Sequence, residues 1–87
     1  MKYQNNVTEK QELKKYNYME IFNRIKIALV EKDKTVKWLA EQLGKSTCTV
    51  SKWCKNSIQP DIKTLNEIAN LMDVDVKDLL VSNKETL

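Results

Sequence analysis

Two cysteines, fifteen lysines and arginines, and no histidine limit the chemistry open to this 87-residue chain. Cys48 and Cys54 lie six residues apart, which on a helix is about 240° of net rotation. They therefore face different ways and do not form a natural disulfide pair. Without His or a CxxC spacing there is no plausible zinc site, and two reduced thiols are the simpler reading. The only glycine is Gly44, so no glycine-rich phosphate loop exists, and no nucleophile has a base at useful spacing. No enzyme activity, metal or cofactor is expected. What stands out is the distribution of charge. Residues 34–56 carry Lys34, Lys37, Lys45, Lys52 and Lys55 against Glu41, a net +4. Residues 61–87 carry Lys63, Lys77 and Lys84 against Asp61, Glu67, Asp73, Asp75, Asp78 and Glu85, a net −3. A basic middle beside an acidic end suits a polyanion held on one surface. A solvated lysine-rich face would give the same count.

These residues must be positioned by helices. Glycine and proline occur once each, too few for a sheet-rich domain with its turns, and the apolar content of 41% supports one modest core. The longest strictly apolar run, Ile27 to Val30, is far short of the ~20 residues of a membrane span. No charged-then-apolar leader opens the chain, so a soluble cytoplasmic protein without membrane contact is expected.

Residues 1–17 read as a polar extension, partly mobile or carrying a short helix over about 9–16 behind the Thr8 capping box. A domain is expected over 18–81, with a frayed end over 82–87. Asn17 with Glu20 forms another capping box, and Ile21, Ile25, Ala28 and Leu29 recur at helical spacing. Together they predict helix 1 over about 18–32 with one buried stripe. Thr35 is the expected N-cap of helix 2 over 36–43, with Trp38, Leu39 and Leu43 apolar and Ala40 small. Gly44 ends that helix, since φ > 0 is cheap only for glycine. Ser46 caps helix 3 over 47–55, whose clear core anchors are only Val50 and Trp53. Trp53 and Trp38 read as packing residues rather than stacking platforms. Asp61 caps helix 4 over 62–72, with Leu65, Ile68, Ala69 and Met72 on one face. Asp75 caps a short helix 5, where Val76, Leu79 and Leu80 close the core.

Two short helices joined by a tight Gly-containing turn form the helix-turn-helix layout. Ala40 lets the two helices approach, Leu39 and Val50 wedge their angle, and Gly44 makes the turn. A plain helical hairpin would share that geometry. The residues go further. The run Thr35-Val36-Lys37-Trp38-Leu39-Ala40-Glu41-Gln42-Leu43-Gly44-Lys45-Ser46 resembles the T-Q-x-x-L-A-x-x-L-G-V-S signature of Cro/C1-type (XRE-like) DNA-binding domains. Thr49-Val50-Ser51-Lys52-Trp53 continues it, and Pro60, Leu65, Ile68, Ala69 and Val74 follow that family's later pattern. The resemblance covers about residues 21–81. It implies an all-α, compact five-helix lambda-repressor-like domain whose third helix enters the major groove of double-stranded DNA.

Carried over by position, the base-facing residues would be Thr47, Cys48, Ser51 and Lys52. Lys52 would pair with guanine O6 and N7, Thr47 would hydrogen-bond or touch a thymine methyl, and Cys48 would make an apolar contact. Lys37, Thr49, Lys55, Asn56 and Ser57 would contact phosphates. Three positions depart from the pattern. Val36 replaces a phosphate-reaching Gln. Asn56 stands where Gly is frequent, and Asn tolerates the left-handed conformation. Leu29 and Cys54 replace an Arg–Glu ion pair, both charges being lost together, which is often neutral or stabilising. These two residues are expected to meet in the core. The resemblance implies a transcription regulator, homodimeric on a two-fold operator with half-sites about 34 Å apart. The alternative is a protein-interaction module of the same fold, such as an antitoxin-like protein with a protein partner. The basic run favours the first and Val36 the second.

Overall fold

Helix stops, rather than helix starts, set the shape of this chain. The computed structural model describes residues 21–84. Within them lie four α-helices, α1 (Ile25–Glu31), α2 (Val36–Leu43), α3 (Thr47–Cys54) and α4 (Ile62–Met72), followed by a 3-10 turn, Val76–Leu79. Each helix closes through a residue in the left-handed region: Asp33 (φ 62°), Gly44 (67°), Asn56 (62°) and Asp73 (56°). The next amide then reaches back five residues. Lys34 N–H donates to Leu29 O at 2.8 Å, Lys45 to Ala40 at 3.0 Å, Ser57 to Lys52 at 3.0 Å and Val74 to Ala69 at 3.0 Å. This is the Schellman closure, and only one of the four uses glycine. Carboxylate and amide side chains fill the role elsewhere, which explains how a chain with a single glycine makes four sharp stops.

The starts follow the sequence. Thr35 Oγ1 accepts from Trp38 N, Ser46 Oγ from Thr49 N and Asp61 Oδ1 from Thr64 N at 3.0, 3.1 and 2.7 Å. Asp75 Oδ1 accepts from Lys77 N at 3.0 Å. Helices α2 and α4 have the expected bounds, and α3 ends one residue early, with Lys55 as its C-cap. The expected fifth helix is one 3-10 turn, so the all-α class holds while the count of five α-helices does not. The turn closes the core with Leu79, which is fully buried, and not with Leu80, which is 47% exposed. Ser82 to Lys84 carry no regular helix. The extension over 1–17, the capping boxes at Thr8 and Asn17, and residues 85–87 lie outside the described residues.

Helix 1 needs the largest correction. Residues 21–24 are not helical, and α1 begins only at Ile25. Ile21 is 55% exposed, so the buried stripe is Ile25, Ala28 and Leu29 alone. The competing interaction is a short antiparallel bridge between Asn23 and Leu80, in which Arg24 N donates to Leu79 O and Val81 N to Phe22 O. On its other side, Asn23 presents its own N–H and C=O to the side chain of Asn56. Asn56 Oδ1 accepts from Phe22 N and Asn23 N, both at 2.9 Å, and Asn56 Nδ2 donates to Asn23 O at 3.2 Å. One side-chain amide thus stands in for a third strand. Asn23 is itself buried: its Nδ2 donates to Trp53 O (3.0 Å) and to Gln59 Oε1 (2.6 Å), and its Oδ1 accepts from Ile25 N (3.0 Å). Gln59 Nε2 returns to Asn56 Oδ1 at 3.1 Å. This clasp ties the entry of α1 to the end of α3.

The core gathers Ile25, Leu29, Leu39, Ala40, Val50, Trp53, Ile68 and Leu79 with their neighbours on α4. Ala40 is 2% exposed between the helices, as its size requires. Leu29 is buried, and Cys54, half-buried, packs on the same core. The two residues that replace the family's charge pair therefore both serve apolar packing.

Glycine tests these roles by opposite signs. Asp73→Gly frees an exposed left-handed residue from its steric cost and is expected to raise unfolding stability by about 1 kcal/mol. Asn56→Gly frees the same strain but orphans the amides of Phe22 and Asn23, and is expected to lower stability by about 2 kcal/mol. Urea melts of both variants check the pair. A second expectation concerns acid. Its cap bonds to Thr64 hold the Asp61 carboxyl below its ordinary value of 3.8. The cap's pH-dependent stabilisation is therefore complete above that value and fades as pH falls through the lower, folded one. Asp61→Asn, which keeps an acceptor that does not titrate, is expected to flatten this acid limb in melts taken below pH 3.8.

Candidate nucleic-acid interface

Helix α3 divides cleanly around its axis. At 100° per residue, Val50 and Trp53 fall close together, and both are buried, at 0% and 6% exposure. The opposite arc carries Thr47 and Ser51, then Lys55, then Cys48 and Lys52, spread over about 140°. Of these, Thr47, Cys48, Lys52 and Lys55 are exposed and Ser51 is half-buried. Thr47 and Ser51, like Cys48 and Lys52, are four residues apart and stack along the helix surface. All four residues expected to face bases therefore share one surface. That surface bears small hydroxyl and thiol groups that let another molecule approach closely, with two lysine ammonium groups at its C-terminal half.

The helix is aimed by its two ends. The three-residue turn Gly44-Lys45-Ser46 separates it from α2, and Ser46 both caps it and donates to Thr49 Oγ1 at 3.0 Å. A Cβ on Gly44 would meet nothing within 4 Å, so what glycine contributes there is relief of backbone strain alone. At the far end, Trp53 O accepts from both Asn56 N and Asn23 Nδ2, so the last turn is held by backbone and clasp together.

The residues expected to contact phosphates divide. Lys37 is exposed in the first turn of α2, and Lys55 and Ser57 are exposed at the close of α3. Thr49 is half-buried and shares its hydroxyl with Ser46. Asn56 differs from all of these. Its Oδ1 takes three donors, its Nδ2 gives one bond to Asn23 O, and its backbone N–H is bonded to Trp53 O. Its side chain is turned inward, so it positions the loop instead of reaching outward. Asn23 and Gln59, which complete the clasp, escaped the sequence reading. The available signal was Asn23 two residues before an apolar stripe, the spacing of an Asx turn.

The two thiols are distinct. Cys48 is exposed on the open arc. Burial pushes the Cys54 thiol above its usual range, and the ammonium of Lys26 offsets this only in part. Trp38 is half-buried, with Lys34 Nζ 4.9 Å from its ring centroid, a cation–π contact beside the start of α2. Among the described residues no helix is long and apolar enough to cross a membrane.

Comparison with known proteins agrees with this geometry. A crystal structure from Bacteroides fragilis, described as a "putative DNA-binding protein", aligns with a TM-score of 0.67 and 49% identity, covering 68% of this chain and 95% of that one. No match is found among curated proteins. Residues 24–85 match the family described as the Cro/C1-type HTH DNA-binding domain. With its capped and glycine-turned helix pair, its buried Val50 and Trp53 and its open polar arc, the chain belongs to the Cro/C1-type helix-turn-helix DNA-binding domain family.

Proposed function

We propose that this protein is a sequence-specific transcriptional regulator, a non-enzymatic cytoplasmic homodimer that reads the DNA major groove with α3. The observation that carries the reading is the open arc of α3. A helix anchored by only two buried residues leaves Thr47, Cys48, Ser51 and Lys52 together on its outer side. In this reading Lys52 addresses guanine, Thr47 and Ser51 donate or accept at base edges, and Cys48 packs against an apolar base edge. Lys37, Thr49, Lys55 and Ser57 neutralise or bind phosphates and supply affinity without sequence information. Asn56 is withdrawn from the phosphate set, because its polar atoms are spent on the clasp.

One observation favours the alternative of an antitoxin-like protein-interaction module. Val36 packs half-buried against the core, so nothing at that position reaches a phosphate as the family's glutamine would. Lys37, next to it and exposed, supplies a charge to the same region.

Selection from a random duplex pool at two salt concentrations, run beside Lys52→Ala, separates the readings. A regulator enriches a pseudo-palindrome, and the variant relaxes one base position at a cost of about 1–3 kcal/mol. Lys55→Ala weakens all sequences alike and lowers the salt slope by about 1. Weak, steeply salt-dependent retention with no motif and no effect of Lys52→Ala would instead turn the search to a protein partner. Thiol labelling gives an independent check. Cys48 is expected to alkylate quickly and Cys54 slowly, with Cys48 alone protected when the selected duplex is added.

A further inference from the structure

The outer side of α1 carries apolar residues that neither the core nor the open arc of α3 uses. A hollow of about 390 Å³ lies between the start of this helix and the run after the 3-10 turn, lined chiefly by Ile21, Arg24, Ile27, Leu80 and Val81. Ile21 is 55% exposed, Ile27 45%, Leu80 47% and Val81 36%. Val30 stands one turn beyond Ile27 on the same helix, is 65% exposed, and lengthens the strip. Single exposed hydrophobic residues are ordinary, but five gathered around one hollow make a patch of the kind that another surface covers.

We propose that residues 12–20 of the same chain fold over this hollow, laying Leu13 and Tyr16 against Ile27 and Val81. Three features favour this occupant. The first is continuity. Glu20 is bonded directly to Ile21, a wall of the hollow, so the cover needs no linker and starts at high effective concentration. Nine residues span about 14 Å as a helix, and the seven of α1 about 10 Å, so the segment is long enough to run the length of that helix. The second is composition. All three tyrosines, Tyr3, Tyr16 and Tyr18, precede Ile21, together with Leu13 and Met19. Segments that remain solvated are poor in aromatic residues. Leu13, Tyr16 and Met19 follow one another at intervals of three, which on a helix makes one apolar stripe. The third is charge. Among the described residues Arg24 is the one charged residue in the lining, and its guanidinium makes a long 3.4 Å bond to Asp78 O. Glu12 and Glu20 put a carboxylate at either end of the segment to pair with it. The segment and Ile21 both precede residue 24, where the family match begins, so the family pattern gives them no role. Seated there, the segment also shields from water the bridge bond from Val81 N to Phe22 O.

The test is a double-mutant cycle on the full chain, read by urea melts. One arm changes Leu13→Ser together with Tyr16→Ser, the other Ile27→Ala, and a third variant combines them. Alanine is the better helix former, so a loss at Ile27 reports lost packing. Ile27 is no member of the buried core, so its variant folds. Each arm is expected to raise the unfolding constant about threefold or more, and the combination to raise it by less than the product of the two. An inert arm of either kind, or effects that simply multiply, overturns the proposal. Isotope-filtered NMR on a mixture of labelled and unlabelled chains separates the chain's own segment from that of a second copy. Cross-peaks from the Tyr16 ring to the methyl groups of Ile27 or Val81 are expected within labelled chains alone. The same cross-peaks between labelled and unlabelled chains overturn the proposal, and so does their absence from both.

Discussion

The side-chain amide of Asn56 meeting the backbone of Asn23 is the interaction on which the architecture turns. It joins residues 33 apart and lies where three segments converge: the entry to α1, the close of α3 and the strand-like run after the 3-10 turn. A buried peptide group costs about 1–3 kcal/mol if left without a partner. The bridge to Leu80 satisfies the neighbouring peptides, those of Phe22 and Arg24, and leaves Asn23's own N–H and C=O facing inward. One amide group answers both. Among the described residues no buried side-chain nitrogen or oxygen lacks a partner. The clasp is thus a completed network, and completed networks fix one arrangement instead of merely adding stability.

That fixed arrangement is what a helix exposed along one whole side requires. Helix α3 has eight residues and buries only Val50 and Trp53, so its orientation cannot come from burial alone. The turn at Gly44 and the cap at Ser46 hold one end. The clasp holds the other through Trp53 O, while Val50 and Trp53 seat the middle. The outer arc is then spared any structural duty, and small polar residues can occupy it at little cost to the fold.

How much of this was legible follows from whether the physics is local. The caps at Thr35, Ser46, Asp61 and Asp75 and the turn at Gly44 are decided within four residues, and each was visible from residue type and spacing. The candidate surface was visible in another way: only Val50 and Trp53 looked like anchors of α3, and the base-facing set of Thr47, Cys48, Ser51 and Lys52 came from the family resemblance. The start of α1 was not. Asn17 with Glu20 pointed to an earlier start, and the pairing of Asn23 with Leu80 and Asn56 is what keeps the backbone before Ile25 out of α1. Asn56 was legible in its backbone, since its left-handed φ was anticipated from a glycine position. Its side chain was not, because the backbone groups it binds lie more than thirty residues earlier. The difference between Leu79 and Leu80 had the same origin. The bridge turns Leu80 outward, a matter of one residue of register that apolar character alone cannot decide.

The bridge between Asn23 and Leu80 has one more consequence. It sets residues near the two ends of the described stretch side by side, with Val81 N and Phe22 O 3.0 Å apart. A polypeptide threaded through this domain enters and leaves at the same spot, as at the neck of a purse. The unit can be spliced into a longer protein, or carry cargo at either terminus, without spreading the host's own ends. A tether attached at one end starts at high effective concentration near whatever is attached at the other. Tension applied across the two ends pulls first on this bridge and on the clasp behind it. Mechanical load would therefore reach the close of α3 before it reached the core.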